Sequence, residues 1–206
     1  RVAQHQANGR AIETGVTGDY SRARFAVIFV HGRGGDQRLG MNDHTFGGNF
    51  NRLKNLAVAN GGTYYVPSVR SFDEKGVADV AALIADAARK SGGRPVVLTC
   101  ASMGSFICYG ISRDKAAVAN LKGMAILGGA VDPDFPKSAF ARAKKPVWFT
   151  HGSADKVYSA DQQAMIFRAL LKAGEPARFT RFETGSHGTP VRMTDWRAVL
   201  NWILSR

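Results

Sequence analysis

Short apolar segments alternate along the chain with stretches of helical spacing, and this alternation limits the possible folds more than any other feature. The six segments cover residues 25–30, 63–66, 95–99, 124–127, 146–150 and 177–182. Continuous apolar runs of this length are typical of parallel strands that are covered on both faces. The alternation therefore predicts an α/β fold, with a mostly parallel sheet flanked by helices.

Three of the intervening stretches are predicted to be helices, over residues 77–88, 159–173 and 196–204. In the second, Ser159 and Gln162 have the spacing of a capping box, and Gly174 is placed to end the helix. The third has one broad apolar face.

The length of the chain, 206 residues, suits one well-buried core and is too short for two ordinary domains. No repeat, low-complexity tract or linker interrupts the alternation, and no apolar run reaches the roughly 20 residues that cross a membrane. We therefore expect one domain over residues 1–206 and no transmembrane segment.

The charge balance is strongly basic, with 28 Lys and Arg against 16 Asp and Glu, for a net charge of +12. Such a surface favours acidic partners, or it serves solubility alone, and both interpretations stay open. Because no block of basic and aromatic residues is present, we expect no nucleic-acid partner. The basic balance and the first residue, Arg1, fit a periplasmic or secreted protein, with a cytoplasmic location left open; the sequence predicts no oligomeric state.

The two cysteines, Cys100 and Cys108, are separated by a strand end and the first turns of a helix. We expect this separation to exceed the reach of a disulfide. Both are therefore predicted to be small buried apolar residues.

The segment TCASMGS, residues 99–105, carries the strongest local signal for chemistry. Ser102 directly follows a predicted strand and precedes a helical segment, which is the context of a nucleophile elbow. In the pattern G-x-S-x-G, Gly104 occupies the second glycine position and Cys100 replaces the first.

A serine nucleophile needs a base and a group that orients the base. Asp155 and His187 each follow a later predicted strand, so the chain order is Ser102, Asp155, His187. The carboxyl ends of parallel strands share one edge of a sheet, where α/β folds place their sites. Asp132, after the strand at 124–127, is the alternative acid.

The glycine-rich turn at residues 31–36 follows the first predicted strand. It lets backbone N–H groups approach a developing negative charge, and the candidate donors are the N–H groups of Arg33 and Met103. The alternative is a tight turn without a catalytic role.

With these residues in place, the chain resembles the α/β-hydrolase superfamily, near its small carboxylesterase, thioesterase and dienelactone-hydrolase-like members. The matching segments are VIFVHGRGGD (27–36), TCASMGS (99–105), VWFTHGSADKVY (147–158) and ETGSHG (183–188). The resemblance implies an α/β-hydrolase fold and a two-step acyl transfer, in which Ser102 attacks an ester and water then releases the acyl group with His187 as base.

The connection between the strands at 124–127 and 146–150 is too short for a large cap, so we expect an open pocket. Arg33, His44 and Arg70 are the candidate substrate-binding residues, and with the net charge they suggest an anionic or polymer-linked ester. The histidines are dispersed, so neither a metal nor another cofactor is expected. The alternative function is a protein of the same fold that binds polyanions without turnover.

Overall fold

The computed structural model describes residues 1–7 and 9–206. Its centre is an eight-stranded sheet in the order β1-β2-β4-β3-β5-β6-β7-β8. The strands are β1 Val2–Ala7, β2 Arg10–Thr17, β3 Phe25–Val30, β4 Gly62–Pro67, β5 Val96–Ala101, β6 Leu121–Leu127, β7 Val147–Gly152 and β8 Ala177–Phe182. The six strands from β3 to β8 are parallel and correspond to the six predicted segments.

The hairpin of β1 and β2 is the part of the sheet that the sequence analysis missed. The two strands pair antiparallel, and β2 also runs antiparallel to β4. Their sequences, VAQHQA and RAIETGVT, mix polar and apolar residues because they form the edge of the sheet, where burial is incomplete. A search for continuous apolar runs does not detect such strands.

Nine α-helices connect or flank the strands in the described part of the chain. They are α1 Gln37–Met41, α2 Asn49–Ala59, α3 Glu74–Lys90, α4 Ser105–Arg113, α5 Lys115–Asn120, α6 Ala139–Arg142, α7 Ala160–Lys172, α8 Thr189–Met193 and α9 Trp196–Leu204. The 3-10 helices cover Tyr20–Arg22, Thr45–Gly48, Ser102–Gly104 and Phe135–Lys137.

Both faces of the sheet are covered, which explains the continuous apolar strands. In β3, Ala26, Ile28 and Val30 pack on one side with residues of α3, α4 and α7. Phe25, Val27 and Phe29 pack on the other side with α2 and α9. The amphipathic helices predicted from spacing supply these layers.

The predicted ends of α7 are also present. The hydroxyl of Ser159 accepts a hydrogen bond from the N–H of Gln162 at 3.2 Å. Gly174 has φ +73°, and the following N–H of Glu175 donates to the carbonyl of Leu170. Glycine ends the helix there because it adopts the left-handed region without a steric cost.

Cys100 and Cys108 form a disulfide, so the prediction of two free cysteines was wrong. The chain reverses sharply after β5, and the second turn of α4 comes back beside the strand end. The two Cα atoms are therefore 6.2 Å apart despite the eight-residue separation. Distance along the sequence overestimated distance in space because a tight turn lies between them.

None of the helices in the described ranges combines the length and the apolar character that crossing a membrane requires.

Candidate active site

Ser102 lies at the sharp turn between β5 and α4. Its φ of +52° is in the left-handed region, which is unusual for a residue other than glycine. The glycine at position 104 lets the turn pack closely against the strand end of β3, because a Cβ there would lie 2.6 Å from the carbonyl oxygen of His31. The neighbouring Gly32 is also close, because its Cβ would be 3.1 Å from that of Ser102.

The side chains of Ser102, His187 and Asp155 form a continuous chain of hydrogen bonds. Ser102 Oγ is 2.8 Å from His187 Nε2, and His187 Nδ1 is 2.7 Å from Asp155 Oδ2. An ionised carboxylate only accepts hydrogen bonds, so we assign the imidazole proton to Nδ1. Nε2 is then free to accept the proton of the Ser102 hydroxyl.

The carboxylate of Asp155 has no solvent exposure and is surrounded by donors. Its Oδ1 accepts from the N–H of Val157 at 2.7 Å and of Tyr158 at 3.1 Å. Burial alone would raise the pKa of Asp155, but the hydrogen bonds from His187 and from these two N–H groups outweigh it and hold the pKa below its usual value. The group that orients His187 is therefore ionised.

His151 is a second histidine in contact with Asp155. Its Nε2 is 3.2 Å from Asp155 Oδ2 and 2.9 Å from the carbonyl oxygen of Tyr158. Both neighbours are acceptors, so Nε2 carries the proton. Burial lowers the pKa of His151, which keeps the ring neutral. The sequence placed His151 at a strand end without indicating this contact.

The turn after β3 is held next to Ser102 by His31. This buried ring accepts a hydrogen bond from the N–H of Val69 at Nε2, and its Nδ1 donates to the carbonyl of Gly32. The N–H of Arg33 has no acceptor among the described residues. Met103 lies in the first turn after Ser102, where N–H groups have no intrahelical acceptor.

Ser105 connects the elbow to the end of β6. Its buried hydroxyl donates to the carbonyl of Ser102 at 2.6 Å and accepts from the N–H of Ala130 at 2.8 Å. The backbone at Ser102 is thus connected to two neighbouring strands, β5 and β6.

A cavity of about 420 Å³ opens beside Ser102 and His187. Its side chains are mostly apolar, and Arg33 is the charged exception. Besides Ser102, His187 and the neighbouring turns, the lining residues are Leu39, Phe46, Leu127, Val157, Tyr158 and Val191. The site can therefore hold an apolar group next to the serine hydroxyl.

Of the predicted substrate-binding residues, the structure brings only Arg33 to this cavity. His44 and Arg70 are exposed outside its lining. Both lie in loops after strand ends, and position in the sequence does not tell which way such a loop turns. Asp132, the alternative acid, forms an ion pair with Arg113 at 2.6 Å instead of contacting His187.

The apolar lining is what sequence reasoning missed. Tyr158 packs edge-on against His187, with ring centroids 5.7 Å apart, and Phe46 and Val191 come from segments far apart in the chain. Tyr158 is the last residue of the segment 147–158, which also holds Asp155, and this proximity was a signal for a position near the site. Phe46 and Val191 have no local signal, because only the fold brings them together.

Within residues 1–7 and 9–206, no three His, Cys, Asp or Glu side chains lie close enough together to hold a metal ion.

Comparison with known proteins identifies the family of the chain and structures of similar fold. Residues 27–205 match the model of the "Alpha/beta hydrolase family". No curated protein matches the sequence. Similar solved structures include a thermophilic esterase from Thermogutta terrifontis, with a TM-score of 0.71 and 12% identity over 99% of this chain and 91% of that one.

Two further structures are similar over nearly their full lengths. Est1E from Butyrivibrio proteoclasticus has a TM-score of 0.70 and 10% identity, covering 99% of this chain and 96% of its own. A serine hydrolase without a lid from Xanthomonas campestris has a TM-score of 0.72 and 15% identity, covering 100% and 94%. At these identities the likeness concerns the fold.

Proposed function

Because the chain belongs to the alpha/beta hydrolase family, we propose that it is a serine hydrolase that cleaves carboxylic esters through an acyl-enzyme. The family match confirms the resemblance and the fold predicted from the sequence. The observation that carries the proposal is the pair of hydrogen bonds, 2.8 and 2.7 Å long, from Ser102 through His187 to Asp155.

The proposed reaction has two steps, acylation and deacylation, and His187 transfers the proton in both. Ser102 Oγ attacks the ester carbonyl carbon while His187 Nε2 takes its proton, and the oxyanion is stabilised by the N–H groups of Met103 and Arg33. Collapse of the tetrahedral intermediate expels the alcohol, which receives the proton from His187. Water then attacks the acyl-serine with His187 as base, releasing the acid and free Ser102. Thioesters and amides would follow the same route.

The open approach to Ser102 supports a substrate whose alcohol part stays exposed to solvent. The connection from β6 to β7, residues 128–146, contains only the 3-10 helix Phe135–Lys137 and the short α6. No large cap is inserted there, and one similar structure is described as a serine hydrolase without a lid. We infer that a bulky or polymer-linked alcohol can remain outside the cavity.

A preference for anionic esters is a further part of the proposal, and Arg33 supports it. Arg33 lines the cavity and has no carboxylate partner among the described ion pairs. His44 and Arg70, outside the lining, do not contribute to this argument.

The proposal is tested by covalent labelling with a fluorophosphonate and by hydrolysis of short p-nitrophenyl esters. Wild type should be labelled and active, and Ser102→Ala should lose both. Removal of the nucleophile in a Ser-His-Asp site lowers kcat by about 10⁶-fold. Full activity of Ser102→Ala would show that another residue is the nucleophile.

Ser112→Ala is the matched control. Ser112 is a buried serine on the segment after β5, and its hydroxyl donates only to the carbonyl of Tyr109. This variant should keep labelling and turnover. If wild type binds polyanions but neither reacts with the probe nor cleaves any ester, the alternative of a non-catalytic binding protein is favoured.

A further inference from the structure

A second and larger cavity, of about 690 Å³, lies on the sheet face covered by α2, α8 and α9. Its lining includes Asn49, Arg52, Leu56, Arg192 and Met193. None of these residues belongs to the lining of the cavity at Ser102. The two cavities are nevertheless neighbours, since Val191 lines the one and Arg192 the other.

Phe46, from the cavity at Ser102, and Arg192, from the second cavity, lie against each other. Phe46 lines the cavity at Ser102, and the guanidinium carbon of Arg192 is 5.8 Å from the centre of its ring. Beside this pair, Asn49 Nδ2 donates to the carbonyl of Val191 at 3.1 Å. The linings of the two cavities therefore meet at this pair of side chains.

The backbone that carries Phe46 is in an unusual conformation. Phe46, Gly47 and Gly48 have φ values of 53°, 66° and 71°, three successive residues in the left-handed region. This conformation is unfavourable for a bulky side chain and persists where the surroundings hold it. Here the Phe46 ring packs edge-on against the fully buried Phe50, with centroids 5.8 Å apart.

We propose that Phe46 is a specificity-determining residue that limits the length of the apolar chain next to the ester. The inference rests on the proposed function, because the chain it limits is one whose ester reaches Ser102. With Phe46 in place the cavity ends at the ring, which selects short linear chains. Without the ring, the chain extends into the second cavity beyond.

The test is Phe46→Gly, which removes the ring and places in the left-handed region the residue that tolerates it best. Isothermal calorimetry measures the affinity for butanoate and decanoate. Each buried methylene changes affinity about fourfold. Phe46→Gly should therefore bind decanoate roughly tenfold or more tighter than wild type, with butanoate affinity nearly unchanged. The kcat/KM ratio of decanoyl to butyryl p-nitrophenyl esters should rise in parallel.

Phe167→Ala is the matched control, since Phe167 is also half-buried and pairs with another ring, that of Phe179 at 5.6 Å, but lines neither cavity. It should keep the wild-type affinities. Equal decanoate affinity for wild type and Phe46→Gly overturns the role of Phe46, whatever the turnover. Tighter decanoate binding by Phe46→Gly supports the role of Phe46 in limiting chain length. If no ester is cleaved as well, only the proposed ester hydrolysis is wrong.

Discussion

The carboxylate of Asp155 is the point at which the backbone after β7 and two histidines meet. It is fully buried and accepts from Val157, Tyr158 and His187, with His151 beside it. The backbone donors fix the carboxylate, and the carboxylate in turn fixes the tautomer of His187. At the residue scale, the orientation of the proposed base is thus set by the loop that holds its partner.

Arg33 has two separable roles in the proposal, one for its backbone and one for its side chain. Arg33→Gln keeps the backbone N–H and removes the charge. Because the guanidinium is exposed, we expect kcat/KM for an anionic ester, p-nitrophenyl hemisuccinate, to fall about two- to fivefold at low salt. The neutral butyrate ester of the same alcohol should be unaffected.

Arg70→Gln provides the control, since Arg70 is exposed outside the cavity lining. The preference of wild type for hemisuccinate should also decrease as salt is added. If the ratio of kcat/KM for hemisuccinate to kcat/KM for butyrate is the same in Arg33→Gln as in wild type, the Arg33 side chain does not contribute to the preference for anionic esters.

At the scale of elements, the turn from β5 to α4 is held from both sides of Ser102. The disulfide joins Cys100, two residues before Ser102, to Cys108 in α4, and both side chains are fully buried. Ser105 adds the connection to the end of β6. The position where the family motif has a glycine therefore holds a cross-link, and the cysteine side chain points to α4 rather than crowding the turn.

The double substitution Cys100→Ala/Cys108→Ala tests the contribution of this cross-link. A disulfide that closes so short a loop stabilises a protein by about 2–3 kcal/mol. We expect the free energy of unfolding, measured in urea, to fall by that amount. We also expect kcat to fall more than KM rises, because the left-handed Ser102 is less firmly held.

Ser112→Ala again serves as a control for a small buried change in α4, and its kcat should match wild type. A double alanine variant with unchanged urea midpoint and unchanged kcat would mean that packing alone holds the turn.

The elements also show what the sequence can and cannot predict. The six parallel strands were predictable because burial on both faces makes each one continuously apolar. Ser102, Asp155 and His187 were placed together because each follows such a strand. The hairpin of β1 and β2, the disulfide and the contact of Phe46 with Arg192 were not, because each depends on an edge, a reversal or a contact between distant segments.

At the scale of the whole molecule, the two apolar layers on either side of the sheet enclose histidines as well as hydrocarbon. His31 and His151 have side chains that are almost completely buried, and burial lowers the pKa of each below the ordinary value. Both rings are therefore neutral at pH 7, and they use their hydrogen bonds to fix turns next to the site.

Stability should therefore decrease in mild acid. In the unfolded chain, histidine binds a proton near pH 6.5. The folded-state pKa values of His31 and His151 are lower, so the unfolded state gains protons first. The stabilising contribution is complete above about pH 6.5 and is lost as the pH falls through the folded-state values. Asp155, whose pKa is also lowered, adds a further loss at more acidic pH.

Thermal unfolding between pH 8 and pH 4 measures this effect. We expect Tm to be flat above pH 7 and to decrease below about pH 6.5. His44→Gln should leave the profile unchanged, because His44 is exposed. His31→Gln should make it less steep between pH 7 and pH 5, because only His151 of the two then contributes. A wild-type Tm that is constant over that interval would contradict the assignment of neutral buried histidines.

The cross-link beside Ser102 makes the covalent state of the protein depend on where it is produced. Glutathione and thioredoxin keep thiols reduced in most cytosols, whereas the periplasm and the secretory pathway allow oxidation. Polypeptide recovered from a reducing host would carry Cys100 and Cys108 as thiols, and polypeptide from an oxidising host would carry the bond. Two preparations of one sequence would then differ by two hydrogen atoms at the cysteines on either side of Ser102, a difference that intact-mass spectrometry resolves before any assay is compared.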